Sequence, residues 1–394
     1  MLCDKRKDEL EELTRDLVAQ QSESGSEDGA AGVLKQYMLR HGFDEVTTDD
    51  SGSVIGRLSG SRPGPKVLFD GHLDTVPVAN PAAWTHDPYG CEIVDGRMYG
   101  RGTSDMKGAV AAFTAAARFF SQDRNRDFGG EIYIAGTVHE ECFEGVAARS
   151  VSQTVHPDYV VIGEASLCDL KIGQRGRAEI VVETFGTPAH SANPDKGVNA
   201  VYAMCKVVEA IRQLPCPEHP VLGKGILELT DIKSSPYPGA SVVPSHCRAT
   251  YDRRLLPGET EESVLAPLQA LLDKLMAANP AIRAKVSYAG GQASCYTGNT
   301  IQARRFFPAW LYNEECGFVQ EILAELRAMG REIGVTQYSF CTNGSHYAGE
   351  AGIPTVGLGP SPENLAHTDD EYIELEQLHL ACESYQAIMR ALLK

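Results

Sequence analysis

The sequence predicts an α/β fold in two parts: a three-layer domain on a mostly parallel sheet, interrupted by a smaller ferredoxin-like α+β domain. Three observations carry this. Apolar strand-like runs alternate with helix-patterned stretches through the first 175 residues, the order that builds a parallel sheet covered on both faces. The pattern then changes to β-α-β-β-α-β over roughly 110 residues, the order of a split βαβ unit. Alternation returns after residue 290. The expected boundaries are 1–175 and 291–394 for the two parts of the larger domain, and 176–290 for the inserted one. A length of 394 residues also suggests two domains rather than one.

Each element has a local reason. Leu10, Leu13, Leu17 and Val18 lie on one face of a helix over residues 4–20, and a second helix over 29–40 stops before Gly42. SVIGRL (53–58) and KVLFDGHLD (66–74) are β-prone, and the Ala-rich GAVAAFTAAARFF after Lys107 suits a closely packed helix. EIYIAGTVHEE (131–141) and DYVVIGEA (158–165) read as buried strands ending in charge. In the inserted part, RAEIVVETFG alternates as a half-buried strand and residues 198–214 form an amphipathic helix. GILELTDIKSS and SHCRATYDRRLL are strands, followed by a helix over 260–278 and a strand near 283–288. GFVQEILAELRAMG, IPTVGLGP and the stretch from EYIELEQ to the last residue supply the closing elements.

Composition narrows the function classes. Hydrophobic residues make up 43% and charged residues 23%, an ordinary globular balance. The net charge of −17, from 36 Lys+Arg against 53 Asp+Glu, argues against nucleic-acid partners and more weakly against anionic membranes. No apolar run is long enough to span a bilayer, and MLCDKRKDELEELTRDL lacks the apolar stretch of a secretory signal. The 11 cysteines follow no pairing or zinc-ribbon pattern, which reads as free thiols in a reducing, cytoplasmic compartment.

The chemistry-bearing residues fall at strand ends. His72 and Asp74 follow VLFD, Asp105 sits in GRGTSDMKG, Glu140 and Glu141 end IYIAGTVH, Glu164 ends YVVIG, and His367 lies in LAHTDDEY. The carboxyl ends of parallel strands share one edge of an open α/β sheet, where ligands bind. Carboxylates gathered there with two histidines would repel one another unless cations joined them. Imidazole with carboxylate suits zinc or a similar ion, and a shared Asp can bridge two ions. Seen alone, each has a plainer reading: a hydrogen-bonded structural His, or a solvated Glu pair.

The segments GHLDTVP, VDGRMYG, GRGTSDMKG, HEE, GEAS, GTPAHSANP and NLAHTDDEY, in this order, resemble the family of acetylornithine deacetylases, succinyl-diaminopimelate desuccinylases, aminoacylases and glutamate carboxypeptidases. The run TNGSHYAGEAGIPTVGLGPSPENLAHTDDEY is most similar to a subgroup labelled selenium-metabolism-linked hydrolases, which names no substrate. The resemblance implies two Zn2+ per subunit, with Co2+ or Mn2+ as alternatives. His72 and Glu164 would ligate one ion, Glu141 and His367 the other, and Asp105 both. Glu140 would be the general base toward a bridging water, adjoining a ligand yet free if the strand end directs the two side chains oppositely. Asp74 would hold His72 through its second ring nitrogen. The inserted domain would be a lid and dimerisation domain, with His190 stabilising the oxyanion in a partner subunit's site. Arg254 would grip a substrate carboxylate, and Asn343, Gly344 and Ser345 would form a loop whose amides hold it.

Plainer readings stand beside these: a polar turn for His190, a strand salt bridge for Arg254. His86, His139, His156 and His246 read as surface or structural, and His346 as the one to watch. Two departures bear on specificity. Ser241 stands where much of the family carries Asn, and TNGSH lacks the acid that commonly follows its Gly-Ser. The expected function is therefore a dinuclear zinc hydrolase cleaving an amide bond of a small carboxylate-bearing compound: an N-acyl amino acid, a ureido compound or a short peptide. A non-catalytic scaffold on the same fold and a two-metal phosphoesterase are the competing readings.

Overall fold

The structure, a computed structural model, describes residues 1–394. In chain order the main strands are β1 (Glu45–Thr48), β2 (Val54–Ser59), β3 (Arg62–His72), β4 (Gly129–Thr137), β5 (Tyr159–Ile162), β6 (Leu170–Gln174), β7 (Gly176–Phe185), β8 (Ile226–Ser235), β9 (His246–Leu255), β10 (Ala284–Tyr288), β11 (Val335–Tyr338) and β12 (Thr355–Gly357). The α-helices are α1 (Asp4–Val18), α2 (Asp28–Arg40), α3 (Lys107–Asp123), α4 (Val146–Val155), α5 (Ala200–Ile211), α6 (Glu261–Ala278), α7 (Gly317–Arg327) and α8 (Leu375–Leu392). No helix is long and apolar enough to cross a membrane.

The chain divides into two compact units. The larger comprises Met1–Gln174, Gln292–Gln302 and Leu311–Lys394. Its sheet runs β1-β2-β4-β3-β5-β12-β6, with β11 beside β6. β3 lies parallel to both β4 and β5, and β5 parallel to β12. The carboxyl ends of β3, β4 and β5 therefore share one edge. Alternation along β3 builds the three layers. Val67 and Phe69 enter the core shared with α1, α2, α3, α7 and α8, while Leu68 faces a second core with Ala148, Val151 and Val155 of α4. Phe69, Phe113 and Tyr385 meet at ring-centroid distances of 5.7–6.2 Å and anchor α3 and α8 to the sheet.

Small residues let the amino end of α3 approach the strand ends. A Cβ on Gly71 would lie 2.7 Å from the Met106 methyl and 2.9 Å from Val110. A Cβ on Gly163 would lie 2.8 Å from the same methyl. A larger residue at either place would have to displace these side chains, the Met106 methyl first.

The smaller unit comprises Arg175–Gly291 and Ala303–Trp310. Its antiparallel sheet runs β8-β9-β7-β10, the ferredoxin-like arrangement, with α5 and α6 packed on one face. Both helices begin where their caps dictate. The Asn199 side chain accepts the Val201 and Tyr202 amides, and Thr260 with Ser263 forms a capping box. Strand β8 is an open edge with Ile226 and Ile232 exposed. Strands β1, β6 and β11 escape the sequence reading. They are four or five residues long, too short for periodicity to declare itself, and exist because neighbouring strands supply their hydrogen bonds.

Candidate metal centre

The strand ends deliver the expected side chains to one place. His72 closes β3, Glu140 and Glu141 lie in the turn after β4, Glu164 follows β5, Asp105 precedes α3, and His367 comes from the loop before the Tyr372–Glu374 strand. His72 donates from Nδ1 to the carbonyl of Asp74 at 2.7 Å, which presents Nε2 to the carboxylates. That Nε2 lies 3.0 Å from Asp105 Oδ1 and 3.5 Å from Glu164 Oε1. On the other side, His367 Nε2 lies 3.3 Å from Asp105 Oδ2 and 3.0 Å from Glu141 Oε2. The two oxygens of Asp105 thus face two different histidines.

Two triads, His72–Glu140–Glu164 and His72–Asp105–Glu141, each bring their donor atoms within 4.8 Å of one another. Geometry alone therefore admits Glu140 as a donor too. Its Oε1 is buried without a hydrogen-bond partner, as befits a carboxylate that awaits a ligand or a proton.

The electrostatics fit a cation site. Burial pushes Glu140 well above the ordinary carboxylate range, Glu141 up to about 7, and Glu164 upward, with neighbouring acids adding to each. Burial would lower His72, but its bonds to Asp105 and Glu164 outweigh that and raise it well above normal. The Asp105 and Glu141 hydrogen bonds push His367 up to about 10. The acids compete for protons because too few positive charges face them, and a divalent cation within the cluster would reverse these shifts. An N/O donor set on rigid strand ends fits zinc or a similar ion.

Asp74 departs from expectation. Its carbonyl, not its carboxylate, holds His72; the carboxylate oxygen is 3.8 Å from Nδ1. The carboxylate turns instead to the loop after β4, accepting the Glu140 amide at 3.0 Å, the Glu141 amide at 3.1 Å and the Ser24 hydroxyl at 2.7 Å. Asp74 thereby fixes the backbone that carries both glutamates.

The loop of Asn343, Gly344 and Ser345 also departs. Its amides are already engaged: Gly344 N–H donates to Thr342 Oγ1, Ser345 N–H to the Thr342 carbonyl and His346 N–H to the Asn343 carbonyl, each at 3.0 Å. The Asn343 amide group is buried, donating to Asp70 and Thr137 and accepting from Gly145. The segment turns as a helix-like coil in which the Gly344, Ser345 and His346 amides bond within the turn. His346 bonds Glu350 at 2.8 Å, and Arg149 grips the same Glu350. These two bonds outweigh burial and bring Glu350 down to about 2.

In the smaller unit, Arg254 donates from Nε to Asp252 Oδ2 at 2.7 Å, so the strand salt bridge is present. His190 is exposed, and its Nδ1 accepts the Ala192 amide at 3.0 Å. That bond leaves the proton of the neutral ring on Nε2, as a donor. Ser241 lies beside it: its carbonyl accepts the Ser191 amide at 3.0 Å, and Val242 bridges His190. Ser241 has φ 57°, a left-handed conformation that Asn adopts more readily than Ser.

Sequence reasoning missed Glu27 and Glu371. Both are fully buried, and both accept backbone amides from site-bearing turns. Their spacing from those turns, more than 100 residues, carries no local signal.

The family described as Peptidase family M20/M25/M40 matches residues 68–391. The protein YgeY of Escherichia coli (strain K12) is 31% identical over 404 residues, covering 98% of this chain and 96% of its own. Succinyl-diaminopimelate desuccinylase 2 of Ruegeria sp. (strain TM1040) is 29% identical, covering 96% of this chain and 94% of its own. In structure, aminopeptidase PepT from Bacillus cereus ATCC 10987 matches with a TM-score of 0.76 at 21% identity, across 98% of both chains.

Proposed function

This chain belongs to peptidase family M20/M25/M40, a family of metal-dependent hydrolases, and on that premise we propose that it is a dinuclear amidohydrolase of small carboxylate-bearing substrates. The observation that carries the two-metal reading is the pair of Asp105 oxygens facing His72 and His367. In this reading His72 and Glu164 would hold one ion, Glu141 and His367 the other, and Asp105 would serve both, with zinc as the metal and cobalt or manganese as alternatives. Bound there, the ions would supply Lewis acidity and lower the pKa of water toward about 7.

The remaining work falls to the chain. Glu140, held through its amide by Asp74, takes the proton of the attacking water and delivers it to the leaving nitrogen. His190 donates from Nε2 to the carbonyl oxygen as it gains charge, acting in a partner copy's site. Arg254, its direction fixed by Asp252, grips the substrate carboxylate. The open edge of β8 supports pairing of two smaller units into a homodimer. Eleven cysteines without a disulfide support a cytoplasmic setting. An N-acyl amino acid, including a succinylated one, a ureido compound or a short peptide fits this chemistry.

Purified protein should hold two metal equivalents per chain, lose hydrolysis on chelation and regain it on adding Zn2+. Activity would be read on a panel of N-acetyl, N-succinyl and N-carbamoyl amino acids and dipeptides. A fully loaded protein that cleaves none of these amides would sink the substrate reading.

His190→Ala should bind zinc and stay dimeric while kcat falls about 10²–10³-fold, the usual loss on removing one oxyanion donor. Mixing it with Asp105→Ala should restore activity as heterodimers form, because one site then has intact ligands and an intact His190 from its partner. Confirmed subunit exchange without recovery would leave His190 as a polar turn.

A further inference from the structure

One buried carboxylate outside the proposed ligand set binds the loop that carries Asp105. Glu371 is fully buried, four residues after His367. Its Oε1 accepts three backbone amides, from Gly102 at 3.1 Å, Ser104 at 2.8 Å and Asp105 at 3.0 Å. Its Oε2 receives Arg101 Nη1 at 2.7 Å, and the Arg101 guanidinium lies over the Trp84 ring. The Gly100 amide donates to the carbonyl of Glu371 at 2.8 Å, so main chain and side chain both clasp residues 100–105. Burying a carboxylate is costly, and here the cost is offset by the bonds it accepts from Arg101, Gly102 and Ser104, which are buried with it. What the buried carboxylate adds is a fixed distance between two segments more than 260 residues apart in sequence.

We propose that Glu371 is a positioning residue that sets the separation of Asp105 from His367, and hence the spacing at which two cations are held. The inference rests on the two-metal reading above. Amides of Gly102, Ser104 and Asp105 converging on one oxygen fix the loop's position, not merely its direction. Because Glu371 and His367 share a short segment, movement of either loop would change the distance between Asp105 Oδ2 and His367 Nε2, now 3.3 Å. Ligands held at fixed spacing by outer partners bind metal about 10–100-fold more tightly than those left loose.

Reach and charge can be separated by two conservative variants. Glu371→Asp keeps the charge opposite Arg101 but retracts the carboxylate by about 1.5 Å, one C–C bond. Glu371→Gln keeps a carbonyl oxygen at full reach for the three amides, but loses the charge and turns an NH2 donor toward Arg101. Both would be titrated with Zn2+ and with Co2+, following affinity, stoichiometry and the cobalt absorption spectrum, alongside kcat and KM. Positioning predicts that Glu371→Asp loses about 10–100-fold in metal affinity with a shifted cobalt spectrum, while Glu371→Gln stays within a few-fold of wild type. In both, kcat should follow loading while KM stays near wild type.

If Glu371 serves only to neutralise Arg101, the order reverses and Glu371→Gln is the worse variant. That order, or equal affinity in both variants and wild type, overturns the proposal. Asp105→Ala, measured in parallel, separates the two failures. If it loses metal while the Glu371 variants match wild type, the positioning role fails and the ligand set stands. If Asp105→Ala keeps both metals, the two-metal reading itself has failed.

Discussion

Asp105→Ala loses bound metal and turnover together. The expectation follows from its two oxygens, 3.0 Å from His72 Nε2 and 3.3 Å from His367 Nε2. A carboxylate shared between two cations neutralises part of each charge, so its removal weakens both sites at once. The loss should exceed the about 10–100-fold typical of removing an outer partner. The backbone of the loop should survive, because Glu371 binds the Asp105 amide and not its side chain. Far-UV circular dichroism would check that, and zinc titration would give stoichiometry and affinity. Two equivalents bound at wild-type affinity would show that Asp105 bridges nothing.

Glu140→Gln gives the opposite signature: two metals retained, and kcat lower by about 10²–10⁴-fold, the usual loss of a general base. Gln matches Glu in volume and keeps an oxygen where Oε1 lies, and the Asp74 bond to the residue 140 amide is untouched. The measurement also decides a question that geometry leaves open, since Glu140 stands within 4.8 Å of the donor atoms of His72 and Glu164. A base that becomes an amide leaves metal affinity alone; a ligand that becomes an amide lowers it. Metal content and initial rates taken on one preparation separate the two. Near-normal turnover would remove Glu140 from the proton-transfer step, and a missing metal would move it into the ligand set.

The sequence by itself determined the layered α/β architecture, the inserted α+β domain and the residues to watch at the strand ends. It could do so because those features are local. A buried parallel strand is a short apolar run, and a His or carboxylate at its end is visible without knowing the neighbours. Tertiary structure decided what each of those groups touches. Asp74 lies two residues from His72, yet its carboxylate serves the turn at Glu140 and Glu141 and its carbonyl serves the histidine. The amides of Gly344, Ser345 and His346 looked available as a string of letters and are spent within their own turn. Arg254 finds its partner two residues back on the same strand face, and His190 has its tautomer set by the amide of Ala192. Glu371 stands inside the NLAHTDDEY segment, yet its role had no local signal, because its four acceptor bonds go to residues 266–270 positions away. The physical reason is the same in each case. Side-chain type and periodicity are properties of a segment, but a hydrogen bond needs both partners within about 3 Å, and only the folded chain brings them there.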